Sequence, residues 1–494
     1  MARFAVRDAR TSEAPSASTR SSSTCATDPR LVAPAPMISR VAILLCALAI
    51  ACGGSNETPS TEAPSTATTR ETPSESPTTM GSASAMTETP TAPPVDPMAL
   101  PAELPNGLLV GYSPFSQNES GQWVQPAPAR LELITRRGGE WAVEAITDAE
   151  SNVFHKAMPI TLPGGEAAIL TVGGMGAHVK LWRRGDAGWT ATKVWSESFG
   201  GRFDRMRDVE IGDLFGDQRP ALAIATHDQG VVAFARLGED GQWAVQQTPK
   251  RRDIFVHEIE LGDLDGDGVV EVYATPSEPN HTRGGGQAGF VERYVPKNGL
   301  EATVVANLGN RHAKEIFVGD VDGDGRDELY VAVEGLTERA EDGSLRVVES
   351  VEIRRYDSDT PPDQGVVVAT IEGDHLTRFL TVGDVDGDGK KEMVIASFSQ
   401  GLWLARPGAN PRAAWSVESI DRDSGGFEHA SILADLDGNG TDELYVASDN
   451  DGELRRYVWV NGRARRQTMT TREQARAMIT WSLFPAPASL IAPR

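Results

Sequence analysis

Short apolar runs separated by turns rich in glycine and acidic residues dominate the chain beyond residue 106. Runs such as VEVYAT, ELYVAV, EMVIAS and ELYVAS consist mostly of β-branched, aromatic and aliphatic residues, and an Asp-Gly cluster precedes each of them. Apolar runs of this length, bounded by turn residues, predict β-strands. From residue 429 the chain reads as four strands in succession: HASILAD, ELYVASD, GELRRYVWV and RARRQTMT. The pattern predicts an all-β fold, and 49 glycines and 31 prolines supply the turns that such a fold needs.

The acidic turns and the runs that follow them form an internal repeat. Four segments align without gaps, beginning at Gly262, Gly319, Gly383 and Ala434, and a fifth from Gly212 keeps the frame but lacks the inner carboxylates. The first aspartates stand at positions 213, 263, 320, 384 and 435, which are 50, 57, 64 and 51 residues apart. This spacing is typical of four-stranded propeller blades, so the repeat predicts a β-propeller.

The residue types of the four complete turns predict a calcium site in each. Ca²⁺ takes six to eight oxygen ligands, which acids at positions 1, 3, 5 and 9 of the turn and a backbone carbonyl at position 7 can provide, while glycines at positions 4 and 6 permit the tight bend. About four bound ions are expected. The proposed ligands are Asp263, Asp265, Asp267 and Glu271; Asp320, Asp322, Asp324 and Glu328; Asp384, Asp386, Asp388 and Glu392; and Asp435, Asp437, Asn439 and Glu443.

An EF-hand is excluded because it needs flanking helices and a bidentate glutamate at position 12. This chain has Ala274, Val331, Ile395 and Val446 there, all within strand-like runs. The remaining alternative is that the turns are acidic loops that bind no metal. Whether the incomplete turns near residues 163 and 213 bind metal stays open.

The repeats resemble the FG-GAP or VCBS-type repeats of integrin-α-like β-propellers. In that family the aspartate-rich loop joins the first and second strands of a blade and binds Ca²⁺, so the resemblance implies the same place for the loops here. It covers residues 150–470. The Phe-Gly and Gly-Ala-Pro halves that name the family are missing, so integrin partners are not implied.

Counting strands in both directions from the repeats predicts seven blades over residues 106–486, followed by a short tail, 487–494. A blade with a shortened loop from Pro163 to Glu166 precedes the five repeats. Residues 107–146 supply three strands of a further blade without its first. The segment RAMITWSLFPAP from Arg476 matches RFLTVGDVDGDG from Arg378 in frame, and we expect it to supply that first strand. Closure with strands from both ends of the chain would remove open sheet edges.

The innermost strands carry basic or titratable residues near their starts. Such a ring at one mouth of the central channel would suit an anionic ligand, either a glycan or a protein. The alternative is that the ring is paired with the nearby acids Asp208, Glu210, Glu258, Glu260 and Glu315 and binds nothing. The ring residues are His155, Arg207, His257, Lys314, Arg378, His429 and Arg476.

The first hundred residues predict a membrane anchor. The run from Val41 to Ala51 is too short to span a bilayer and fits a signal-peptide core. Residues 37–51 with Cys52 resemble a bacterial lipoprotein signal, which implies lipidation of Cys52; a buried helix or internal anchor is the alternative. Residues 1–36 are expected to be a mis-assigned start or a disordered extension, and residues 52–105 a disordered Ser/Thr/Pro/Glu tether.

Composition narrows the function further. All three cysteines, Cys25, Cys46 and Cys52, precede residue 53, so the repeats contain neither a disulfide nor a thiolate metal site. A net charge of −23 excludes a nucleic-acid binder. No catalytic motif stands out. We expect a monomeric, calcium-binding, lipid-anchored adhesion or ligand-binding module of a bacterial outer membrane or cell surface. The alternatives are a calcium-dependent, lyase-like enzyme acting on polysaccharide at the channel mouth and a purely structural surface protein.

Overall fold

The structure is a computed structural model that describes residue 96 and residues 98–117, 123–124, 127–200, 204–279, 285–473 and 475–491. Its main elements are seven four-stranded antiparallel sheets, which we number as blades 1 to 7 and whose strands we count outward from the centre. The prediction of an all-β, seven-bladed β-propeller is confirmed. Residues 1–95, with all three cysteines, the proposed signal and most of the proposed tether, lie outside the described residues. The last part of the segment predicted as a tether, residues 98–105, is described, and its Leu104 is buried in the hydrophobic cluster of blades 7 and 1.

The strands of each blade follow in order from first to fourth. Blade 1 contains Met478–Ala486, Gly107–Pro114, Ala129–Arg137 and Glu140–Asp148. Blade 2 contains Phe154–Thr161, Ala167–Gly173, Ala177–Gly185 and Gly188–Glu197. Blade 3 contains Met206–Gly212, Ala221–Thr226, Val232–Leu237 and Trp243–Gln247. Blade 4 contains Phe255–Gly262, Glu271–Ser277, Phe290–Tyr294 and Ala302–Asn307.

Blades 5 to 7 have the same order. Blade 5 contains Ala313–Gly319, Glu328–Val333, Val351–Tyr356 and Val366–Ile371. Blade 6 contains Thr377–Gly383, Glu392–Ser397, Leu402–Arg406 and Ser416–Asp421. Blade 7 contains Ser431–Ala434, Glu443–Ser448, Glu453–Val460 and Arg463–Thr471.

A few short elements decorate the blades. Two small hairpins extend second-to-third-strand connections: Ser116–Gln117 with Trp123–Val124 in blade 1, and Leu336–Arg339 with Leu345–Glu349 in blade 5. Single 3₁₀ turns occur at Asp228–Gly230, Pro296–Asn298 and Ala475–Ala477, and one helical turn at Ala488–Ile491. In the described part of the chain, no helix has the length and apolar character that crossing a bilayer requires.

Burial decreases from the centre of each blade outward. The second strands of blades 3 to 7 are buried at every position, as in Glu328–Val333, whereas the fourth strand Glu140–Asp148 of blade 1 is mostly exposed. A short continuous apolar run suits a strand covered on both faces. This is why ELYVAV and its counterparts show no polar alternation.

The hydrophobic core lies between blades. Seven clusters of buried side chains occur among the described residues, and each contains side chains from two neighbouring blades. The cluster between blades 5 and 6, for example, includes Tyr330 and Ile353 from one and Met393 and Ile395 from the other. Each blade is therefore stabilised mainly by its neighbours.

Strands from both ends of the described chain complete blade 1. Met478–Ala486 pairs antiparallel with Gly107–Pro114, with Phe484 opposite Leu109 and Leu483 opposite Val110. Leu483 is buried in the cluster that joins blades 7 and 1. With this strand in place all seven innermost positions are filled, and no sheet is left without its central strand.

Candidate metal loops and channel mouth

The four acidic turns lie between the first and second strands of blades 4 to 7, on one face of the propeller. We call them loops 4 to 7 after their blades: residues 263–271, 320–328, 384–392 and 435–443. The fourth and sixth residues of every loop are glycines in the left-handed region, with φ of 70° and 81° in Gly266 and Gly268. A Cβ at either of these two glycines would meet no neighbouring atom. The glycines are therefore required by backbone conformation.

The first aspartate of each loop organises the turn. In loop 4 the Asp263 carboxylate accepts the backbone N–H groups of Asp267 at 3.0 Å and Gly268 at 2.7 Å. Asp267 in turn accepts the N–H of Val269 at 2.8 Å. Equivalent bonds form in the other three loops. The local sequence thus bends the chain so that its carboxylates converge.

The loops differ in how many of their acids come close together. In loop 5 the four acids Asp320, Asp322, Asp324 and Glu328 each offer an oxygen, and these oxygens lie within 4.8 Å of one another. Loop 4 brings together Asp263, Asp265 and Asp267, and loop 6 brings together Asp384, Asp386 and Glu392. Loop 7, although fully described, has no such group. The donor sets of loops 4 to 6 fit a hard cation such as Ca²⁺.

An arginine from the third strand lies against the acids of each loop. In loop 5 the Arg355 guanidinium is 2.6 Å from Asp322 and 3.2 Å from Glu328, and it also contacts Asp357 at 2.6 Å. The corresponding ion pairs join Arg293 to Asp265 and Glu271, Arg406 to Asp386 and Glu392, and Arg456 to Asp437 and Glu443. The acids at positions 3 and 9 thus share one internal counter-charge in every loop.

Burial shifts the pKa values of the position-9 glutamates and of Arg355. It raises the pKa of Glu328 to about 7, although Arg355 acts in the opposite direction. Burial also raises the pKa of Glu271, Glu392 and Glu443. Burial is the largest single effect on the pKa of Arg355 and lowers it, but the hydrogen bonds that Arg355 donates to Asp357 and Asp322, together with the nearby Tyr330 and Glu328, hold it above its ordinary value. The position-9 glutamates are therefore costly to ionise unless a cation lies beside them.

Sequence reasoning missed these arginines. A signal was present, because the third strands of blades 4, 5 and 7 each contain the dipeptide Arg-Tyr, at Arg293, Arg355 and Arg456. The incomplete loop of blade 3 keeps part of the arrangement. Asp213 still accepts backbone N–H groups, and Asp217 pairs with Arg236 from the third strand. The arginine is thus a feature of blades beyond those with complete loops.

The proposed ring residues occupy the opposite end of the first strands, and five of them coincide with β-bulges. In blade 3 Met206 lies opposite Thr226 and Asp208 opposite Ala225, so Arg207 is an extra residue outside the ladder. The same shift occurs at His155, His257, Lys314 and Arg378. Bulges redirect side chains, and here they bring residues of different blades together near the axis.

The structure corrects the ring in blade 1. Arg476 lies in the 3₁₀ turn Ala475–Ala477, before the first strand begins at Met478. The bulge of that strand falls between Thr480 and Ser482, so Trp481 takes the equivalent position. The in-frame match of Arg476 with Arg378 was wrong because it aligned a residue before the strand with a residue inside one.

The structure also corrects the ring in blade 7. His429 does not face the channel, because its ring nitrogens lie 3.0 Å from the Ser397 carbonyl and 2.8 Å from the Ser424 hydroxyl. Its neighbour Glu428 takes that place, hydrogen-bonded to Arg378 and 3.9 Å from Arg207. The blade therefore contributes an acid to the mouth instead of a titratable base.

Burial keeps the channel histidines neutral at pH 7. It lowers the pKa of His155, with Arg205 and Arg207 acting in the same direction, and it lowers the pKa of His257, with Lys314 adding to the effect. Burial and then Arg378 lower the pKa of Lys314 to about 8. The permanent positive charge of the mouth thus comes from its arginines.

Acids from the first strands lie close to the ring. Burial raises the pKa of Glu210, Glu258, Glu260 and Glu315, and the charge of Asp208 acts in the same direction at each of them. The cation that opposes this shift at the first three is Lys156, which lies 2.9 Å from Asp208 and is hydrogen-bonded to Glu210, whereas Arg207 and Arg378 lower the pKa of Glu315. Lys156 was not part of the proposed ring. Pairing between blades therefore accounts for a large share of the buried channel charge.

Aromatic side chains border the same mouth. Trp481 packs edge-on against His155, with ring centroids 4.4 Å apart, and Arg207 lies 5.2 Å from the centroid of its ring. Phe427 is 53% exposed, although Arg378 lies 5.4 Å from its ring centroid. The two aromatic side chains thus each lie beside one arginine, and Phe427 is the exposed one.

Comparison with known proteins identifies the repeats. Residues 384–446 match the model of a family described as FG-GAP-like repeat. The matched segment runs from loop 6 into the second strand of blade 7. A search of the curated proteins found no match.

Solved structures also match the chain at low sequence identity. One is a proposed 6-phosphogluconolactonase from Bacteroides fragilis NCTC 9343, with 13% identity, a TM-score of 0.47 and coverage of 79% of this chain and 100% of that one. A proposed 6-phosphogluconolactonase from Bacteroides uniformis ATCC 8492 has 11% identity, a TM-score of 0.49 and coverage of 78% and 100%. A protein from Lactobacillus plantarum has 12% identity, a TM-score of 0.45 and coverage of 76% and 98%. No activity is carried over from these matches.

Replacement of Arg355 tests its role as the internal counter-charge of loop 5. We expect Arg355→Met to lower the free energy of unfolding by about 3–5 kcal/mol in the presence of EDTA, because Asp322, Glu328 and Asp357 lose their buried cation. Urea unfolding followed by tryptophan fluorescence measures this. Arg346→Met, at a mostly exposed site in the blade 5 hairpin, is the control and should change little. Equal stability of the two variants would contradict the assignment.

Proposed function

The chain is an FG-GAP-type β-propeller, and we propose that it is a calcium-binding surface module, held at a bacterial membrane by a lipid on Cys52, that binds a ligand at its channel mouth. The observation that carries the calcium assignment is the group of four carboxylates in loop 5. This module accounts for the three features that the all-β core does not require: the repeated acidic loops, the aromatic and basic mouth, and the cysteine after the apolar run.

Chemistry favours Ca²⁺ over the alternative of empty acidic turns. Oxygen ligands converge in loop 5 although like charges repel, and Arg355 supplies one positive charge against four carboxylates. A divalent ion would balance more of that charge, and Ca²⁺ tolerates the irregular set of ligands that a tight turn can offer. Loops 4 and 6 would bind in the same way, with Arg293 and Arg406 orienting the acids at positions 3 and 9. Loop 7, in which Asn439 replaces one acid, is proposed as the fourth site.

The side chains of the mouth favour a ligand that is both anionic and ring-shaped, such as a uronate-containing glycan. Arg207 and Arg378 provide donors for a carboxylate, and each already has Glu428 as a neighbour. Phe427 and Trp481 provide apolar surface next to them, 6.4 Å apart between ring centroids. A protein segment rich in acids is the other ligand class of this chemistry.

Calcium binding is tested by chelation and by one loop substitution. We expect a millimolar chelator to lower the melting temperature, because ions that bind only the folded state stabilise it by about 2.7 kcal/mol at one hundred times their Kd. Asp324→Ala, which removes the position-5 oxygen altogether, should bind one ion fewer in native mass spectrometry, and Asp342→Ala, at an exposed acid of the blade 5 hairpin outside any loop, should bind the wild-type number. An unchanged melt with and without chelator would overturn the calcium assignment.

Ligand binding is tested on an array of neutral and uronate-containing oligosaccharides. We expect the purified protein to retain uronate oligosaccharides selectively, and Phe427→Ala to weaken their binding by about tenfold, the effect of removing about 1.4 kcal/mol of contact. Val143→Ala, at an exposed position of the outer strand of blade 1, is the matched control. Equal retention of neutral and uronate sugars would contradict the proposal, as would unaltered binding by the Phe427 variant.

The anchor is tested in bacterial cells by detergent partition. The wild-type chain should partition into the detergent-rich phase and incorporate labelled fatty acid, because a diacylated cysteine binds bilayers strongly. Cys52→Ser should move to the aqueous phase, while Cys46→Ser, within the apolar run, should behave like wild type. Partition of both variants into detergent would favour an internal anchor instead.

A further inference from the structure

Each metal loop accepts a hydrogen bond from the next blade or donates one to it, and these bonds follow one rule. The residue just before the second strand of a blade bonds to the backbone of the first loop aspartate in the preceding blade. Asp327 accepts the N–H of Asp263 at 2.8 Å, and the Lys391 ammonium donates to the Asp320 carbonyl at 2.8 Å. Asp442 accepts the N–H of Asp384 at 3.0 Å, and the Asn106 amide donates to the Asp435 carbonyl at 3.4 Å. We call these four residues the latches.

The latches share a position but not a chemistry. Two are acids that accept from a backbone N–H, and two are donors to a backbone C=O, so no sequence motif reveals them. They occur at all four complete loops. At the incomplete loop of blade 3 the equivalent residue of the next blade is Val270, which packs in the apolar cluster between blades 3 and 4. A polar latch therefore accompanies each loop with a full set of proposed ligands.

The glycine before the first aspartate makes room for the acidic latches. A Cβ at Gly383 would clash with the Asp442 carboxylate. Asp442 also makes a second hydrogen bond to Asp384, because its backbone N–H donates to the Asp384 carbonyl at 2.9 Å. A Cβ at Gly262 would crowd both Asp327 and Val318. Loop 7 has Ala434 in this place, and its latch from Asn106 is the longest of the four.

We infer that the four calcium loops are coupled from blade to blade, so that an ion bound in one loop raises the affinity of the loop in the preceding blade. This rests on the calcium binding proposed above. Asp327, Lys391 and Asp442 stand at position 8 of loops 5, 6 and 7, next to the position-9 acid and one residue after the position-7 carbonyl, so an ion in that loop would fix the latch in place. Asn106 belongs to blade 1, which has no metal loop, so it holds loop 7 without linking it to a further ion. The latch holds the backbone of a ligand residue in the preceding loop. Ordering already achieved by the first ion then lowers the entropic cost of binding the next.

Loops 6 and 7 offer the sharpest test because Asp442 makes two hydrogen bonds to Asp384. The full chain is titrated with Ca²⁺, and hydrogen exchange with mass spectrometry follows the peptides that contain loops 6 and 7 separately. Asn439→Ala weakens loop 7 at its proposed position-5 ligand. We expect this variant to shift the calcium midpoint of loop 6 upward by about fivefold, the lower end of common coupling strengths.

Removal of the latch should abolish that shift. In an Asp442→Ala background, Asn439→Ala should leave the loop 6 midpoint unchanged, whereas Asp442→Asn keeps an acceptor and should preserve the coupling. Without calcium, Asp442→Ala should also increase exchange at the amide of Asp384. A loop 6 midpoint that shifts equally with and without the latch, or that never shifts, would overturn the inference.

The outcomes separate the two proposals. If no loop gains protection with calcium, the calcium assignment fails and the coupling falls with it. If all loops gain protection from hydrogen exchange, and their calcium midpoints do not change on substitution of the loop in the next blade, calcium binding stands and the coupling alone is wrong. Loss of protection in every peptide of Asp442→Ala would indicate unfolding, and the Asp442→Asn variant then decides, because it must retain the fivefold effect of Asn439→Ala.

Discussion

Burial of each second strand between two neighbouring blades is the constraint on which the rest of the structure depends. These strands are apolar on both faces, so a single blade cannot cover its own core, and the seven interfaces must all be filled at once. The terminal strand Met478–Ala486 makes this possible, because it supplies the first strand of blade 1. Chemistry-bearing residues are therefore confined to the two ends of the blades, where strands turn.

Charged side chains are arranged differently at the two ends of the blades. At the loop end, carboxylates meet an arginine but keep oxygens directed toward one another, which leaves an excess of negative charge. At the mouth, arginines and lysines from one blade meet acids from another, as Lys156 meets Asp208. The first arrangement suits a cation that comes from solution, whereas the second pairs its buried charges internally and leaves Phe427 as the exposed aromatic side chain beside Arg378.

The sequence predicts the fold well because its repeat has one period and one burial pattern. The interval between first aspartates is the length of a blade, and ELYVAV and its counterparts lie where a doubly covered strand must lie. The loop acids can also be recognised from the sequence, since the aspartate at position 1 and the two glycines bend the chain through local hydrogen bonds alone. The signals for the loop and for the second strand after it lie next to each other within each repeat.

What sequence reasoning could not supply depends on contacts between distant segments. Arg355 reaches loop 5 from another strand, Glu428 meets Arg207 across the channel, and Asp442 touches Asp384 from the next blade. The error at Arg476 has the same origin, because only the ladder with Gly107–Pro114 reveals which residue of the terminal strand is bulged.

The bulges of the first strands have a consequence for how this protein can change. A bulged residue such as Arg207 or Trp481 stands outside the ladder, so neither its backbone pairing nor the apolar packing between blades depends on its side chain. Mutation can therefore change the side chain at each of the six bulged positions without disturbing the strand pairing. What restricts them is burial and the partners across the mouth, because a substitution of Arg378 would leave the buried Glu428 carboxylate without its hydrogen-bonded cation.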